Sequence, residues 1–464
     1  MDNKSLRLIV FFTLIMFIFC RFCPGAFKAY ALSVEEEKVL GQKFLNKVRT
    51  YFDMVDDDYA DEFINNLGQY LIRPLETKHF PFHFYIINDN NLNAFAAPGG
   101  HIFIYTGLIR VMDEIDELAA VMCHEIGHVS ARHLSHRIEQ NKKIGLATLA
   151  GVLAGIFIGG KAASAIMTGT MAAGIQAQLQ YSRNDERQAD QLGFKYMVKA
   201  GYDPSGMITT LKKINEGQWF STDKIPPYLL THPSGLERMS NLDMMLINYT
   251  GRPENKQAAK FRRFFPFLKT ILMAKYNGPQ EAERLFKKEL EKKPDSMLAH
   301  FGLGVVLMEI SGYDQAIDHF QKALNGKPES LFILRYLGEA YQLEGRDDRA
   351  ITVFKKALEV DSQDTSVLFL LAMSYQNLEE YSKAVSLFER LTYIKPVKDA
   401  VFYNLGISYG RQERLALAHY NFGIYFKRQG NMRKAEFHFQ KAGDLPNNNP
   451  ALRNQIHKAM KDLR

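Results

Sequence analysis

Apolar positions along the chain change their spacing several times, and each change predicts a different element. Between residues 34 and 75, Val39, Leu40, Phe44, Leu45 and Val48 recur at helical spacing behind Glu35-Glu36-Glu37, acidic residues suited to a helix start. Phe80 to Ile87 alternates with aromatics and predicts a strand, as does His101-Ile102-Phe103-Ile104-Tyr105. The stretch Asn90 to Gly100 between them is rich in turn residues. Helical spacing returns over 113–140 and again after a polar segment at Arg183 to Asp190, with a loop at His232-Pro233-Ser234-Gly235. Beyond a basic, Pro-containing region around Arg252 to Pro266, only helices are expected. The fold class is therefore α+β, mainly α: a domain over 32–255 with a small β-sheet, then an all-α domain over 256–464.

The second domain is periodic. From residue 297 the pattern recurs every 34 residues: Gly304, Gly338 and Gly406, with Ala372 in the intermediate place. Ala316, Ala350, Ala384 and Ala418 follow twelve residues later, and Phe320, Phe354, Phe388 and Phe422 four residues after those. Pro328 and Pro396 close two of the units. These spacings match the tetratricopeptide repeat: small residues let paired helices approach, each Phe fills the gap between neighbours, and Pro stops the second helix. Ala282, Phe286 and Pro294 mark a degenerate unit upstream. Downstream, Gly423, Ala435, Phe439 and Ala442 repeat the pattern after 17 residues, so one helix is expected to serve two consecutive units. Four clear units with atypical ends predict a short superhelix with a concave face.

Composition narrows the class. The chain has 464 residues, 46% hydrophobic and 23% charged, which is globular and long enough for two or three domains. Its net charge of +7 includes +3 from the first 31 residues, and no basic stripe with interleaved aromatics points to nucleic acid. Lys4 and Arg7, an apolar run from Leu8 to Phe19 and Ala29-Tyr30-Ala31 read as an export signal over 1–31; an uncleaved anchor is the alternative. Cleavage after Ala31 removes Cys20 and Cys23 and leaves Cys123, expected as a buried thiol without a disulfide. Ile144 to Gly160 is uncharged and apolar, and Ala162 to Ile175 continues with small residues. Over 144–175 this is either a buried or membrane-surface helical hairpin or a pair of true membrane spans.

The chemistry gathers at His124-Glu125-Ile126-Gly127-His128. On a helix, residues four apart differ in direction by about 40°, so both imidazoles face one point, and Glu125 can reach a water there. A metal held by the two histidines lowers the pKa of that water towards ~7, so that a neighbouring carboxylate can take its proton. Glu186, on a second helix with Asp190 at i+4, is the best third ligand. Asp190 is either an acceptor for the free nitrogen of a ligating histidine or part of a surface charge cluster. Extrapolated along the same helix, His133 and His136 point away from His128 by about 140° and 80°, and both are expected at the surface.

The combination of His124-Glu125-x-x-His128, Glu186-x-x-Ala189-Asp190, and Asn93-Ala94-Phe95 leading into Pro98-Gly99-Gly100 resembles the gluzincin family of CAAX prenyl protease and HtpX-type peptidases. The resemblance covers essentially the whole mature chain, and an N-terminal signal peptide and C-terminal repeats accompany it. It implies that His124, His128 and Glu186 bind one Zn2+ and that Glu125 is the catalytic base. It implies that Asn93 to Tyr105, with Asn93, Ala94 and Phe95 foremost, is the edge strand along which substrate backbone adds. Thr231-His232-Pro233 also matches, which places His232 near the metal, able to occupy its fourth position as an inhibitory switch. Arg238 matches the Arg expected to stabilise the oxyanion. Read without the resemblance, His232 is a loop histidine and Arg238 a surface cation. Disulfide-forming cysteines of the repeat-bearing branch are missing from this repeat region. The implied protein is a periplasmic zinc endopeptidase, peripherally membrane-associated or soluble. It would hydrolyse misfolded or stalled outer-membrane proteins, with repeats recruiting substrates or the assembly machinery. The alternatives are an assembly scaffold with a largely latent protease site, or an integral-membrane protease through 144–175.

Overall fold

The computed structural model describes residues 33–140, 181–220, 227–233, 236–251, 255–446 and 449–463. The expected export signal and the apolar segment 144–175 lie outside the described residues. The chain divides into two units: residues up to Val55 with Ile64–Ala258, and Asp56–Phe63 with Ala259 onward.

The helical pattern expected over 34–75 is broken into α1 (Val34–Tyr51), in the first unit, and α2 (Asp58–Leu71), which belongs to that unit from Ile64 on. Ser33 caps α1 reciprocally with Glu36. The break is used by the sheet: Val55 donates to the Ile86 carbonyl at 2.9 Å, and Met54 bridges to Ile87. The sheet has three strands, β1 (His83–Ile87), β2 (Ala94–Ala97) and β3 (His101–Tyr105), in the order β1-β3-β2. β1 runs parallel to β3, with His83 opposite His101 and Ile87 opposite Tyr105. β2 is antiparallel to β3, with Ala94 opposite Ile104 and Ala97 opposite His101. Pro98-Gly99-Gly100 closes that hairpin; Gly99 and Gly100 sit at φ 76° and 86°, a region that favours glycine. The hairpin corrects two expectations. Part of the turn-rich stretch is strand β2, and β3 is the middle strand with both edges paired, so only β2 offers an edge on its side of the sheet. A run such as His-Ile-Phe-Ile-Tyr, buried at every position, suits a strand enclosed this way.

After a short helix α3 (Thr106–Val111), the expected helix over 113–140 is two helices, α4 (Ile115–Ser130) and α5 (His133–Gln140). Arg132 separates them at φ 54°. α4 is buried from Ile115 to Val129 and packs against β2, β3, α6 (Arg183–Ala200) and α7 (Gly206–Phe220). Short α8 (Pro227–Thr231) and α9 (Leu236–Ile247) complete the described part of the unit. Cys123 is buried in α4 without a disulfide, and burial pushes its thiol pKa up. No described helix is long and apolar enough to cross a membrane.

The main part of the second unit begins in α10 (Lys256–Tyr276), so the basic stretch expected as a boundary is helical from Lys256 on, Pro266 included. Then come α11 (Pro279–Lys292), α12 (Met297–Glu309), α13 (Tyr313–Gly326), α14 (Leu331–Leu343) and α15 (Asp347–Val360). They continue with α16 (Thr365–Asn377), α17 (Tyr381–Thr392), α18 (Asp399–Arg411), α19 (Leu415–Arg428), α20 (Met432–Asp444) and α21 (Pro450–Lys461). A Cβ at Gly304 or Gly338 would stand 2.4 Å from the ring of Phe320 or Phe354, so each glycine is the socket for one phenylalanine. Phe320, Phe354 and Phe388 are fully buried. At the C-terminal end, Gly406 seats Phe422 and Gly423 seats Phe439, so α19 supplies a ring to one neighbour and a socket to the other.

Candidate metal centre

The site is assembled by two helices crossing at very short range. A Cβ at Gly127 of α4 would lie 2.8 Å from the Ala189 carbonyl oxygen on α6. A Cβ at Gly193 of α6 would lie 3.2 Å from the His124 backbone nitrogen. Backbones this close put residue 186 and residue 190 directly against the two histidines of α4. Glu186 also lies in the first turn of α6, capped reciprocally by Ser182 and Asp185, where the helix end favours an anion. Arg137 of α5 pairs with Asp185 at 2.5 Å and so ties α5 to that same turn.

Among the described residues, one group of four side chains brings metal-ligating atoms together. His124, His128, Glu186 and His232 offer atoms that all lie within 4.8 Å of one another, all buried. The Nε2 atoms of His124 and His128 are 3.0 Å apart, His232 Nδ1 is 3.3 Å from His124 Nε2, and Glu186 Oε1 is 3.0 Å from His232 Nδ1 and 3.3 Å from His128 Nε2. Asp190 Oδ1 stands 2.9 Å from His124 Nδ1, behind the ring rather than among the four. Arg238 lays Nε 2.7 Å from Asp190 Oδ2 and Nη1 2.8 Å from Glu186 Oε2.

Two features fit a divalent cation. Both Glu125 oxygens are wholly buried with no hydrogen-bond partner, an arrangement costly unless something else satisfies them. Three carboxylates, of Glu125, Glu186 and Asp190, are buried here with one guanidinium, that of Arg238, which contacts Glu186 and Asp190, so the fully ionised cluster is two negative charges in excess. The titration of His124 reflects that excess. Burial and Arg238 lower its pKa, yet hydrogen bonds to Asp190 and Glu186 hold it up to about 9. For Glu186 burial works the other way, and His232 and Arg238 still keep the carboxyl well below its usual range. His128 lacks a buried carboxylate behind it, and burial drives its pKa well below the usual value.

Residues 59–246 match Peptidase family M48. Residues 277–330, 334–368 and 365–398 match tetratricopeptide repeats.

Residues 59–246 are a Peptidase family M48 domain.

The repeats follow it. The chain is 28% identical over 296 residues to the beta-barrel assembly-enhancing protease of Yersinia pestis, covering 62% of this chain and 60% of that protein. It is 32% identical over 220 residues to the Escherichia coli (strain K12) protein of the same name, covering 47% and 45%. Mitochondrial metalloendopeptidase OMA1 of Arabidopsis thaliana is 34% identical over 153 residues, covering 33% of this chain and 29% of that protein. The chain thus spans about three-fifths or less of the length of the curated relatives it matches here.

Within the M48 domain, several side chains lie elsewhere than the sequence suggests. Arg238 is no surface cation: it is 7% exposed, and the guanidinium expected at an oxyanion is turned onto Asp190 and Glu186. His133 is not a surface histidine; it is 3% exposed, its Nδ1 3.0 Å from His128 Nδ1. The extrapolated angle fails because the helix it assumes ends before Arg132. His136 is exposed, as expected. Asn93, Ala94 and Phe95 are buried, so any contact with a substrate from Ala94 and Phe95 is through the backbone of β2, which packs against α4. Two further aromatics were missed. Tyr228 stacks on His232 with centroids 4.6 Å apart, and Tyr181 lies 3.9 Å from His128 and 5.0 Å from His232. No spacing rule marks either tyrosine, because they come from separate segments that meet only in the fold.

Proposed function

We propose that the chain is a zinc-dependent endopeptidase of the cell envelope whose own His232 restrains it, working in the periplasm on misfolded or stalled outer-membrane proteins. The observation that carries the reading is the buried Glu125 carboxylate, which no hydrogen bond satisfies, beside four converging metal-ligating side chains. His124, His128 and Glu186 would hold one Zn2+. The bound ion would supply a Lewis acid that polarises a peptide carbonyl and acidifies water. Glu125 then accepts the proton of the attacking water and returns it to the leaving amine, a role for which its two free oxygens suit it. Asp190 holds His124 through Nδ1, and Arg238 holds Asp190 and Glu186 in place. An extended peptide pairs with β2, whose edge borders the motif helix. The tetratricopeptide repeats bring protein clients or the outer-membrane assembly machinery to the protease, in line with the name of the beta-barrel assembly-enhancing relatives.

A second reading, an assembly scaffold with a mostly silent protease, is favoured by one feature. His232 places Nδ1 3.0 Å from Glu186, while its Nε2 lies 3.6 Å from Glu125, so its ring stands between base and ligand. Both readings are tested on an unfolded outer-membrane protein with the purified chain. Stoichiometric zinc is expected, and Glu125→Gln should lower cleavage by about 10²- to 10⁴-fold. His232→Ala should raise cleavage severalfold. Cleavage that survives both chelation and Glu125→Gln would overturn the peptidase, and unchanged activity in His232→Ala would overturn the restraint.

A further inference from the structure

The two ligating histidines of α4 are braced from behind by different chemistry. His124 has a carboxylate, Asp190, on its Nδ1. His128 has another imidazole, that of His133. The contact is built with some effort. α4 stops at Ser130, and the chain reverses through Arg132 in the left-handed region, at a cost of about 1–2 kcal/mol for a side chain with a Cβ. Arg132 is held there by Glu37 of α1, with Nε at 3.2 Å and Nη2 at 2.9 Å from the same carboxylate oxygen. Glu37 is itself buried. The reversal carries His133, first residue of α5, back onto His128, where it is almost wholly enclosed. The far nitrogen of His133, Nε2, then meets the side-chain carbonyl oxygen of Gln188 at 2.9 Å. Gln188 lies two residues beyond Glu186 on α6.

The tautomers along this line follow from the last acceptor. An amide oxygen only accepts, so His133 Nε2 carries the hydrogen and its Nδ1 is bare. Bare Nδ1 accepts from His128 Nδ1–H, which leaves His128 Nε2 with its lone pair directed at Glu186 and His124. We propose that His133, fixed by Gln188, is the positioning residue that sets the tautomer and ring orientation of His128 for metal binding. The proposal rests on the metal reading of the site.

Charge explains why an imidazole serves here. The fully ionised carboxylates and guanidinium of the cluster already carry the two excess negative charges that a divalent cation balances. A carboxylate behind His128, of the kind behind His124, would leave one buried negative charge uncompensated. A neutral acceptor orients the ring and adds none. The contact alone does not make a site: His300–His319 and His419–His438 in the repeats also bring Nδ1 atoms to 2.9 Å. His128 differs in that its other nitrogen faces the three remaining ligand side chains.

The test compares zinc affinity, by competition with a chromogenic chelator, in full-length wild type, Glu125→Gln, His133→Phe, His133→Asn and Gln188→Met. Thermal unfolding of the metal-free proteins reports folding. Phe fills the volume of His133 and removes the acceptor; Asn leaves a gap but places an oxygen where Nδ1 stands. A positioning role predicts zinc binding weakened about 10- to 100-fold in His133→Phe and within about threefold of wild type in His133→Asn. A packing role predicts the reverse order. Gln188→Met, which frees the His133 tautomer, is expected to weaken binding at least threefold; it decides the matter if the Phe variant does not fold. Unchanged affinity in His133→Phe or Gln188→Met, or equal loss in the Phe and Asn variants, overturns the proposal. If wild type and Glu125→Gln hold no zinc, the metal reading falls and takes this one with it. If both hold zinc and only the relay variants behave like wild type, the metal reading stands alone.

Discussion

Gly127 lies within the metal motif, and its absent side chain sets the distance between the two halves of the site. A Cβ there would come to 2.8 Å from the carbonyl oxygen of Ala189, backbone that belongs to a helix interior and cannot swing aside. Gly127→Ala should therefore push α6 outward, in spite of its better helix propensity. The expected result is a loss of about 1–3 kcal/mol in stability by chemical denaturation. Weaker zinc binding should accompany it, since Glu186 and Asp190 move with α6. A variant as stable and as tightly metallated as wild type would refute the argument. At this scale the sequence was legible where periodicity is local: His124, Glu125 and His128 share a helix, and Glu186 with Asp190 share another. It was illegible where the backbone leaves the regular path. Arginine is rarely left-handed, and nothing in Ser130-Ala131-Arg132 signals a reversal, so regular helical spacing puts His133 on the wrong side.

The strand β3 shows what enclosure does to one ionisable group. His101 begins the middle strand, with Tyr85 Oη 3.2 Å from its Nδ1 and the His83 ring 5.2 Å away. Burial, and then the nearby His83 and Arg49, lower its pKa to about 4. In the unfolded chain the same imidazole titrates near ~6.5. The unfolded state therefore binds the proton first, and stability is complete above pH ~6.5 and declines towards pH ~4. The decline amounts to roughly 3 kcal/mol at most. Melting temperature of the first unit should fall across that window, and His101→Gln should flatten the fall. An identical slope in the variant would assign the effect to other groups. The sheet itself was only half visible in the sequence. Alternation marked β1 and β3, whereas Ala94–Ala97 has neither β-branching nor a polar partner at alternate positions, and its strand character comes from pairing with β3.

At the scale of the molecule, the candidate metal centre and the repeats reside in different units, which predicts distinct responses to metal removal. The candidate ligands all lie between residues 124 and 232, in the first unit. Stabilisation by a ligand of the folded state grows as the logarithm of its concentration over Kd, about 4 kcal/mol at a thousandfold excess. Calorimetry with and without a chelator should move one unfolding transition down by several degrees and leave a second in place. Two transitions that move together would show that the units unfold as one. The repeat region was legible almost in full, because each Gly–Phe pair recurs at a fixed spacing and one pair suffices to set one helix crossing.

The doubled role of α19 changes what counts as the unit of growth in that array. A helix that presents a ring on one side and a socket on the other, as α19 does with Phe422 and Gly423, lets an array lengthen or shorten by a single helix at that point and still close each contact. A duplication or deletion of 17 residues, the spacing between Gly406 and Gly423, would there keep each ring in a socket without a whole repeat being gained or lost. The shift turns over which helices line a given face, so a new face for partners can arise without the intermediate ever having lost its core.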